Sequence, residues 1–390
     1  MNFSKMMSSL VSTPLHEIFK EARSLKEAGK DIISLNVGEP HCLIEKVILD
    51  AINRRMILRR FDYLPALGST ELRTKIGELY GVEPVQVAIG SGAKSLVAMA
   101  LTALLRPENS VLLLPTPYYP PFYQVAKALG VLIVEIDTQK NNFQLTLELL
   151  VKTRKKIKRR HQVLIINSPN NPTGVIYDKG ELCRITAYCR EHAIQIISDE
   201  CYSTFSTDPS FTLFDFSIKD DESSNVTIIN SFSKSHALMG LRIGYLVGSA
   251  ELVKRLGMYA ENFLGCPSVL AETAALEAIN TKTVGNYDGQ RAILEEWLSS
   301  HEFKFTPTFG GIYTFADFTP VSKMLKLKKS AELGLEILKH SGVALAPGHS
   351  FGKKYENFLR ISYSVSQETL CEALHRLDVM FANFQKGEKA

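Results

Sequence analysis

Four apolar runs in this 390-residue chain end abruptly in polar clusters whose side chains are of types that do chemistry. VQVAIG (85–90) leads into Ser91-Gly92-Ala93-Lys94, and VLIIN (163–167) into Ser168-Pro169-Asn170-Asn171-Pro172-Thr173-Gly174. IQIIS (194–198) leads into Asp199-Glu200-Cys201-Tyr202, and VTIIN (226–230) into Ser231-Phe232-Ser233-Lys234. In open α/β sheets ligands bind outside the carboxyl ends of the strands, so four such clusters on one sheet edge describe a site.

GSGAKS (90–95) is not a nucleotide-hydrolase phosphate loop, because Ala88 and Ala93 occupy both required glycine positions. It is not a dinucleotide fingerprint either, since Ser95 stands at the third glycine. What remains is a glycine turn opening a helix, which is either an ordinary strand-to-helix turn or a seat for one phosphate on free N–H groups. In SPNNPTG two prolines and a glycine make a rigid turn, and Pro172 holds Asn171 in extended backbone, so the turn is either purely structural or presents a preorganised amide to a ligand.

Asp199 follows an apolar strand directly; a desolvated carboxylate there needs a cation or donors, in a structural ion pair or in a site. Lys234 ends a strand likewise, and a lysine that is buried or beside a cation becomes a nucleophilic amine capable of forming an imine. Arg242, after Gly240, supplies a fixed positive charge for a phosphate and for lowering that amine's pKa. A phosphate seat, a buried Asp, an imine-forming Lys and an Arg are together what pyridoxal phosphate requires, with the Asp keeping the pyridine nitrogen protonated so that the ring accepts electrons.

The elements that must hold these groups are legible from periodicity. Further apolar runs lie at 111–115, 131–136 and 243–247, and segments with helical spacing, such as 94–105 and 179–192, separate most of them. Near-continuous apolar strands alternating with helices predict a mostly parallel α/β sheet covered on both faces, and the closeness of 226–230 to 243–247 predicts one antiparallel strand. From Ala271 the pattern changes to a long helix over 271–300, a strand region at 308–318, another helix and a strand-like run at 358–364, which reads as a second, α+β domain.

Composition sets the background. The chain carries 45 Lys+Arg against 41 Asp+Glu, a net +4, with 45% hydrophobic and 22% charged residues. Those values exclude disordered, collagen-like and disulfide-scaffold proteins and do not point to a nucleic-acid or membrane-surface binder. The basic run 152–160 (KTRKKIKRR) precedes a core strand and lacks aromatics, so it reads as a solvated helix end rather than a nucleic-acid patch. Six scattered cysteines with no CxxC pair argue for a reducing compartment and against a structural metal. The start lacks a secretory pattern and no apolar run reaches membrane-spanning length, so a cytoplasmic protein is expected.

Taken in order, NVGEPH (36–41), YLPALGSTELR (63–73), SGAKS (91–95), TPYYPPFY (116–123), NSPNNPTG (167–174), SDECY (198–202), SFSKSHALMGLRIGY (231–245), APGHSFG (346–352) and LRISYS (359–364) closely resemble the class I/II aminotransferases of the aspartate aminotransferase superfamily, with fold type I. The resemblance implies a large pyridoxal-phosphate domain at 36–275 built on a seven-stranded, mostly parallel mixed sheet, with 1–35 and 276–390 forming the small domain. It implies that Lys234 forms the imine and moves the substrate α-proton, that Asp199 pairs with the pyridinium nitrogen, and that Asn171 and Tyr202 bond the ring hydroxyl. Tyr119 would stack on the ring, with Tyr118 its competitor. Backbone groups of Ala93 and Lys94, with Ser231, Ser233 and Arg242, would hold the phosphate, and Tyr63 would reach the cofactor of a neighbouring subunit in a homodimer. Arg360 would clamp the substrate carboxylate together with Gly38 and Asn171.

The implied reaction is ping-pong transamination between an amino acid and a 2-oxo acid. A carbon–sulfur lyase, racemase or decarboxylase shares every motif, and a non-catalytic cofactor-binding protein is disfavoured by the intact Lys234, Asp199 and Arg360. His41, Cys42, Phe61, Tyr63, Tyr313 and His349 are the expected specificity elements and lean toward neutral or aromatic amino acids. His236 is expected in a solvated loop, Trp297 in packing, and Cys201 away from the chemistry.

Overall fold

The computed structural model describes residues 3–155, 157–158, 161–208, 211–216 and 224–386. Strands β1 (Val87–Gly90), β2 (Ser110–Thr116), β3 (Leu132–Asp137), β4 (His161–Asn167), β5 (Ile194–Asp199), β6 (Val226–Ser231) and β7 (Gly244–Val247) form one sheet in the order β1-β7-β6-β5-β4-β2-β3. Each coincides with one apolar run of the sequence. β7 runs antiparallel to both neighbours and every other pairing is parallel. A short link such as 232–243 suits an antiparallel return, because a parallel one needs a long crossover.

The strands read as continuous apolar runs because both faces are covered. Leu164 and Ile166 of β4 pack into a cluster with Leu182 and Ile185, while Val163 and Ile165 pack into another with Leu96, Leu101 and Phe122. At about 1.5–3 kcal/mol for each fully buried aliphatic side chain, this double coverage is the main source of the sheet's stability.

Register then sets the polar ends side by side. Asn167 lies opposite Asp199 and Asp199 opposite Ile229, while Ser231 and Gly90 both lie opposite Gly244. A second, antiparallel sheet is built from β8 (Lys304–Phe305), β9 (Tyr313–Asp317), β10 (Ala346–Pro347) and β11 (Phe358–Ser362), in the order β10-β11-β9-β8. Arg360 stands in its centre, opposite both Phe315 and Ala346. The pair Ile33–Ser34 runs parallel to Val343–Ala344, tying the N-terminal segment to this C-terminal part of the chain.

The single helix expected over 271–300 is two, Val269–Ala278 and Asp288–Ser300. The interruption falls on NTKTVGNY, where Asn and Thr compete for backbone bonds and Gly285 weakens helix propagation. Tertiary contact completes the break, since Val284 donates its N–H to the Ser235 carbonyl at 2.7 Å, beside Lys234. Part of the basic run 152–160 falls outside the described residues. Within it, Arg154 closes the helix Leu147–Arg154 and bonds Gln162 and the Tyr188 hydroxyl, so this residue packs rather than being solvated.

Candidate active site

The carboxyl ends of β1, β4, β5 and β6 surround a cavity of about 130 Å³ lined by Ala93, Lys94, Tyr119, Asn171, Asp199, Tyr202, Ser231, Ser233, Lys234 and Arg242. These are ten of the thirteen site residues inferred from sequence.

One end of the cavity is a seat for an anion. Gly92 has φ +81°, and any side chain there would run into the Arg242 guanidinium. The arginine thus lies against the N-terminus of the helix Ala93–Leu104, where free N–H groups and the helix dipole add to its charge. It is held by its NH1 donating to the Met239 carbonyl at 3.1 Å and its NH2 to the Ser91 carbonyl at 3.4 Å. Ser231 caps the short helix Phe232–Ser235, accepting from the Ser233 N–H at 3.0 Å, and its own hydroxyl lies 3.0 Å from the Ile243 carbonyl. Its first task is to fix the turn that carries Lys234.

The middle is a chain of polar groups. Asp199 is 5% exposed and accepts the Cys201 N–H at 3.1 Å. Burial pushes its carboxyl above the ordinary carboxylate range, against the opposing effect of the Cys201 side chain and N–H. The Asn167 amide donates to the Asp199 carbonyl at 3.1 Å, and its oxygen accepts the Asn171 N–H at 2.8 Å. The Asn171 amide reaches the Tyr202 hydroxyl at 3.5 Å, which in turn lies 2.9 Å from the Tyr313 hydroxyl. Burial, then the neighbouring Tyr313, raises the Tyr202 phenol well above its usual range, so it stays protonated.

Opposite, Lys234 donates to the Gly38 carbonyl. Arg360 is 3% exposed; its NH1 donates to Asn171 Oδ1 at 2.9 Å and its NH2 to the Asn36 carbonyl at 2.6 Å, while its Nε is unpartnered. The guanidinium lies 4.1 Å from the Tyr313 ring centroid and 5.0 Å from that of Phe351, so stacking fixes its plane. A side chain at position 38 would overlap Tyr313, which explains the glycine in NVGEPH.

The geometry separates Tyr119 from Tyr118. Tyr119 lines the cavity, whereas Tyr118 stacks on Tyr123 with centroids 5.5 Å apart and donates to Glu135 at 3.2 Å. Tyr63 is 97% exposed and lines no part of its own chain's cavity. Tyr313 stands behind the lining residue Tyr202, its hydroxyl 2.9 Å from that of Tyr202, and His349 lies away from the cavity. It pairs with Glu356 at 2.6 Å, because the turn after β10 points it toward that carboxylate. His41, Cys42 and Phe61 are exposed. His236 is half-buried on Phe232 rather than solvated, and burial lowers its pKa. Trp297 packs as expected, donating to Asp378 at 2.7 Å.

Cys201 lines the cavity beside Asp199, closer to the polar centre than expected from the motif. Asn167 and the Asn36 carbonyl are further members that the motifs did not single out. A polar residue ending an apolar strand marks Asn167; nothing local marks a main-chain carbonyl.

Glu200, next to Asp199, faces the other side of the sheet. It is 5% exposed, accepts from the Ser198 hydroxyl at 3.0 Å and the Leu213 N–H at 2.9 Å, and burial pushes its carboxyl up to about 7. Its folded-state pKa lies above the unfolded one, so its contribution to stability is present at low pH and lost as pH rises through about 7. Glu200→Gln should therefore stabilise the protein at pH 8 by up to about 3 kcal/mol and give almost no gain at pH 4, below the unfolded value. Denaturant midpoints of both proteins at the two pH values test this, and an equal difference at both would refute it.

The family model for aminotransferase class I and II matches residues 30–377. The chain is 31% identical over 387 residues to a probable aspartate/prephenate aminotransferase of Aquifex aeolicus, covering 95% of this chain and 96% of that protein. It is 30% identical over 399 residues to an aspartate aminotransferase of Bacillus subtilis, covering 97% and 98%. The crystal structure of an aspartate aminotransferase from Thermotoga maritima superposes with a TM-score of 0.86 at 28% identity, over 97% of this chain and all of that one.

The chain belongs to the class I and II aminotransferases. It is a pyridoxal-phosphate-dependent enzyme of fold type I that exchanges an amino group between an amino acid and a 2-oxo acid. The cavity suits that cofactor at both ends. Arg242 and the helix N-terminus match a phosphate, and the enclosed Asp199 carboxylate calls for a cation such as a protonated ring nitrogen.

Proposed function

We propose that Lys234, Asp199, Asn171, Tyr202 and Arg360 form the reacting end of this site, and that the backbone of Ala93 and Lys94, with Ser231, Ser233 and Arg242, holds the cofactor phosphate. The supporting observation is one cavity with an anion seat at one end, a buried arginine fork near the other, and the Lys234 amine beside Gly38. Pyridoxal phosphate, when bound, supplies a carbonyl carbon that condenses with amines and a ring that takes up an electron pair. Asp199 holds a proton at the ring nitrogen. Asn171 and Tyr202 present an amide and a hydroxyl to the ring oxygen, Tyr119 covers one face and excludes water, and the Lys234 amine takes and returns the substrate α-proton. Arg360, with Asn171 and the main chain at Gly38, orients the α-carboxylate.

The donor's side chain is read at the rim. Lys94 is exposed and lines the cavity, and it would meet a second carboxylate; relatives named aspartate aminotransferase support dicarboxylic donors. The aromatic walls of Tyr119 and Tyr202, the latter backed by Tyr313, favour neutral or aromatic donors as a second reading. Half-reaction absorbance with a panel of amino acids separates the two. Arg360→Lys keeps charge but loses the fork, so kcat/KM should fall about tenfold to a hundredfold for every amino acid alike, at ~1.5–3 kcal/mol for a charge-assisted bond. Lys94→Ala should harm only dicarboxylic donors. If Arg360→Lys harms only those, Arg360 reads the side chain and the carboxylate clamp lies elsewhere.

We also propose a homodimer with shared sites. Ile57, Leu58 and Phe61 form an exposed apolar stretch beside Tyr63, as an interface would require. Mixing Lys234→Ala with Tyr63→Ala, each inactive alone, should restore activity through one hybrid site, and an active monomer in sedimentation would end this proposal. The pairing of Ile33–Ser34 with Val343–Ala344 supports a small domain of 1–35 and 276–390 beside a large one of 36–275. All six cysteines are free, in keeping with a cytoplasmic enzyme, and among the described residues no helix is long and apolar enough to cross a membrane.

A further inference from the structure

Behind the segment that carries Asn36 and Gly38 lies a second cavity, of about 450 Å³, walled by the helix Pro14–Glu27 on its far side. Leu35 is fully buried in the core of the small sheet. Alternation along extended backbone therefore turns Ser34 and Asn36 the other way, and both line the cavity. Asn36 is 2% exposed, and neither its amide nitrogen nor its amide oxygen has a hydrogen-bond partner. Buried amides are almost always bonded, so one with both ends free at a cavity wall marks the place of a polar ligand.

The charges at the mouth narrow its chemistry. Lys26 and Arg23 come from the helix, and Arg23 is engaged with Glu27 at 2.9 Å, which leaves Lys26 as the cation facing in. Glu39 and His41 stand on the opposite lip, and Phe19, Val37 and Met239 supply apolar wall. Cation, carboxylate, amide and apolar surface together match a zwitterion with an apolar side chain. An oxo acid has nothing for Glu39, and a simple amine has nothing for Lys26.

We infer that this cavity binds a free α-amino acid with an apolar side chain, its carboxylate at Lys26, its ammonium at Glu39 and the Asn36 amide bonding between them. The site is separate from the one at the sheet edge, of whose lining it shares only Met239. It is coupled to that site through the main chain, because the Asn36 carbonyl holds Arg360 at 2.6 Å and the Gly38 carbonyl holds Lys234. An occupant therefore alters KM through the clamp rather than by filling it.

Equilibrium dialysis of labelled L-leucine tests this on the full-length enzyme after borohydride reduction, which removes the Lys234 amine from exchange. Saturable binding is expected, and Lys26→Glu, at an exposed position, should weaken it on the order of fivefold while leaving kcat unchanged. 4-Methyl-2-oxopentanoate and isoamylamine should each compete poorly. Absence of binding up to about 10 mM, beyond the millimolar range of weak sites, would overturn the inference. So would binding indifferent to Lys26→Glu, which would place the leucine at the sheet edge instead.

Discussion

Lys234→Ala should lose turnover by on the order of 10⁴-fold or more, since it removes the amine proposed both to condense with the cofactor carbonyl and to move the α-proton. The variant should still hold cofactor, because the Arg242 guanidinium, the N-terminus of the helix Ala93–Leu104 and Ser233 are untouched. The structural ground is specific. Ser231 caps the Phe232–Ser235 turn, and the turn aims Lys234 across the cavity to the Gly38 carbonyl, beside the segment that anchors Arg360. Borohydride reduction followed by peptide mapping should label Lys234 in the parent enzyme and nothing in the variant. Label on Lys94, which also lines the cavity, would transfer the role to that residue.

Asp199→Asn should slow proton abstraction by on the order of 10²–10³-fold, with much less effect on cofactor affinity. The carboxylate is enclosed, and burial already drives its pKa upward, so it is costly to keep charged unless a cation meets it. In the proposed site a protonated ring nitrogen would be that cation, and each would favour the charged form of the other. Asparagine fits the same space but cannot hold the proton, so the ring accepts electrons poorly. Single-turnover absorbance isolates this step from product release. Rates within about threefold of the parent's, a difference near 0.6 kcal/mol, would reduce Asp199 to a structural residue that orders the turn at Cys201.

Both predictions rest on residues that stand out in the amino-acid sequence, and the reason is local. Asp199 and Lys234 interrupt long apolar runs, and a charged group at the end of a core strand is costly unless something meets it. The seven strands are legible for a related reason, since sheets covered on both faces leave unbroken apolar segments. The long helix expected over 271–300 fails where local pattern is overruled by a contact, the Val284 bond to Ser235, across about fifty residues of chain. His349 fails similarly. Its motif suggests a place near the site, but Glu356 holds it away.

The sequence by itself determined most element types, the chemical kinds gathered at the strand ends, and the identity of Lys234 and Asp199 as candidates, whereas Arg360 entered only through the family resemblance. The former follow from patterns of period two and 3.6 and from the desolvation cost of single groups, both of which act over a few residues. Only the tertiary structure decided the strand order, the setting of Tyr119 rather than Tyr118 toward the cavity, and the clamp in which Arg360 reaches the carbonyl of Asn36. It alone exposed the unpartnered Asn36 amide and the cavity in front of it. These depend on register and packing between segments hundreds of residues apart, and on main-chain groups that every residue carries, so no side-chain pattern announces them.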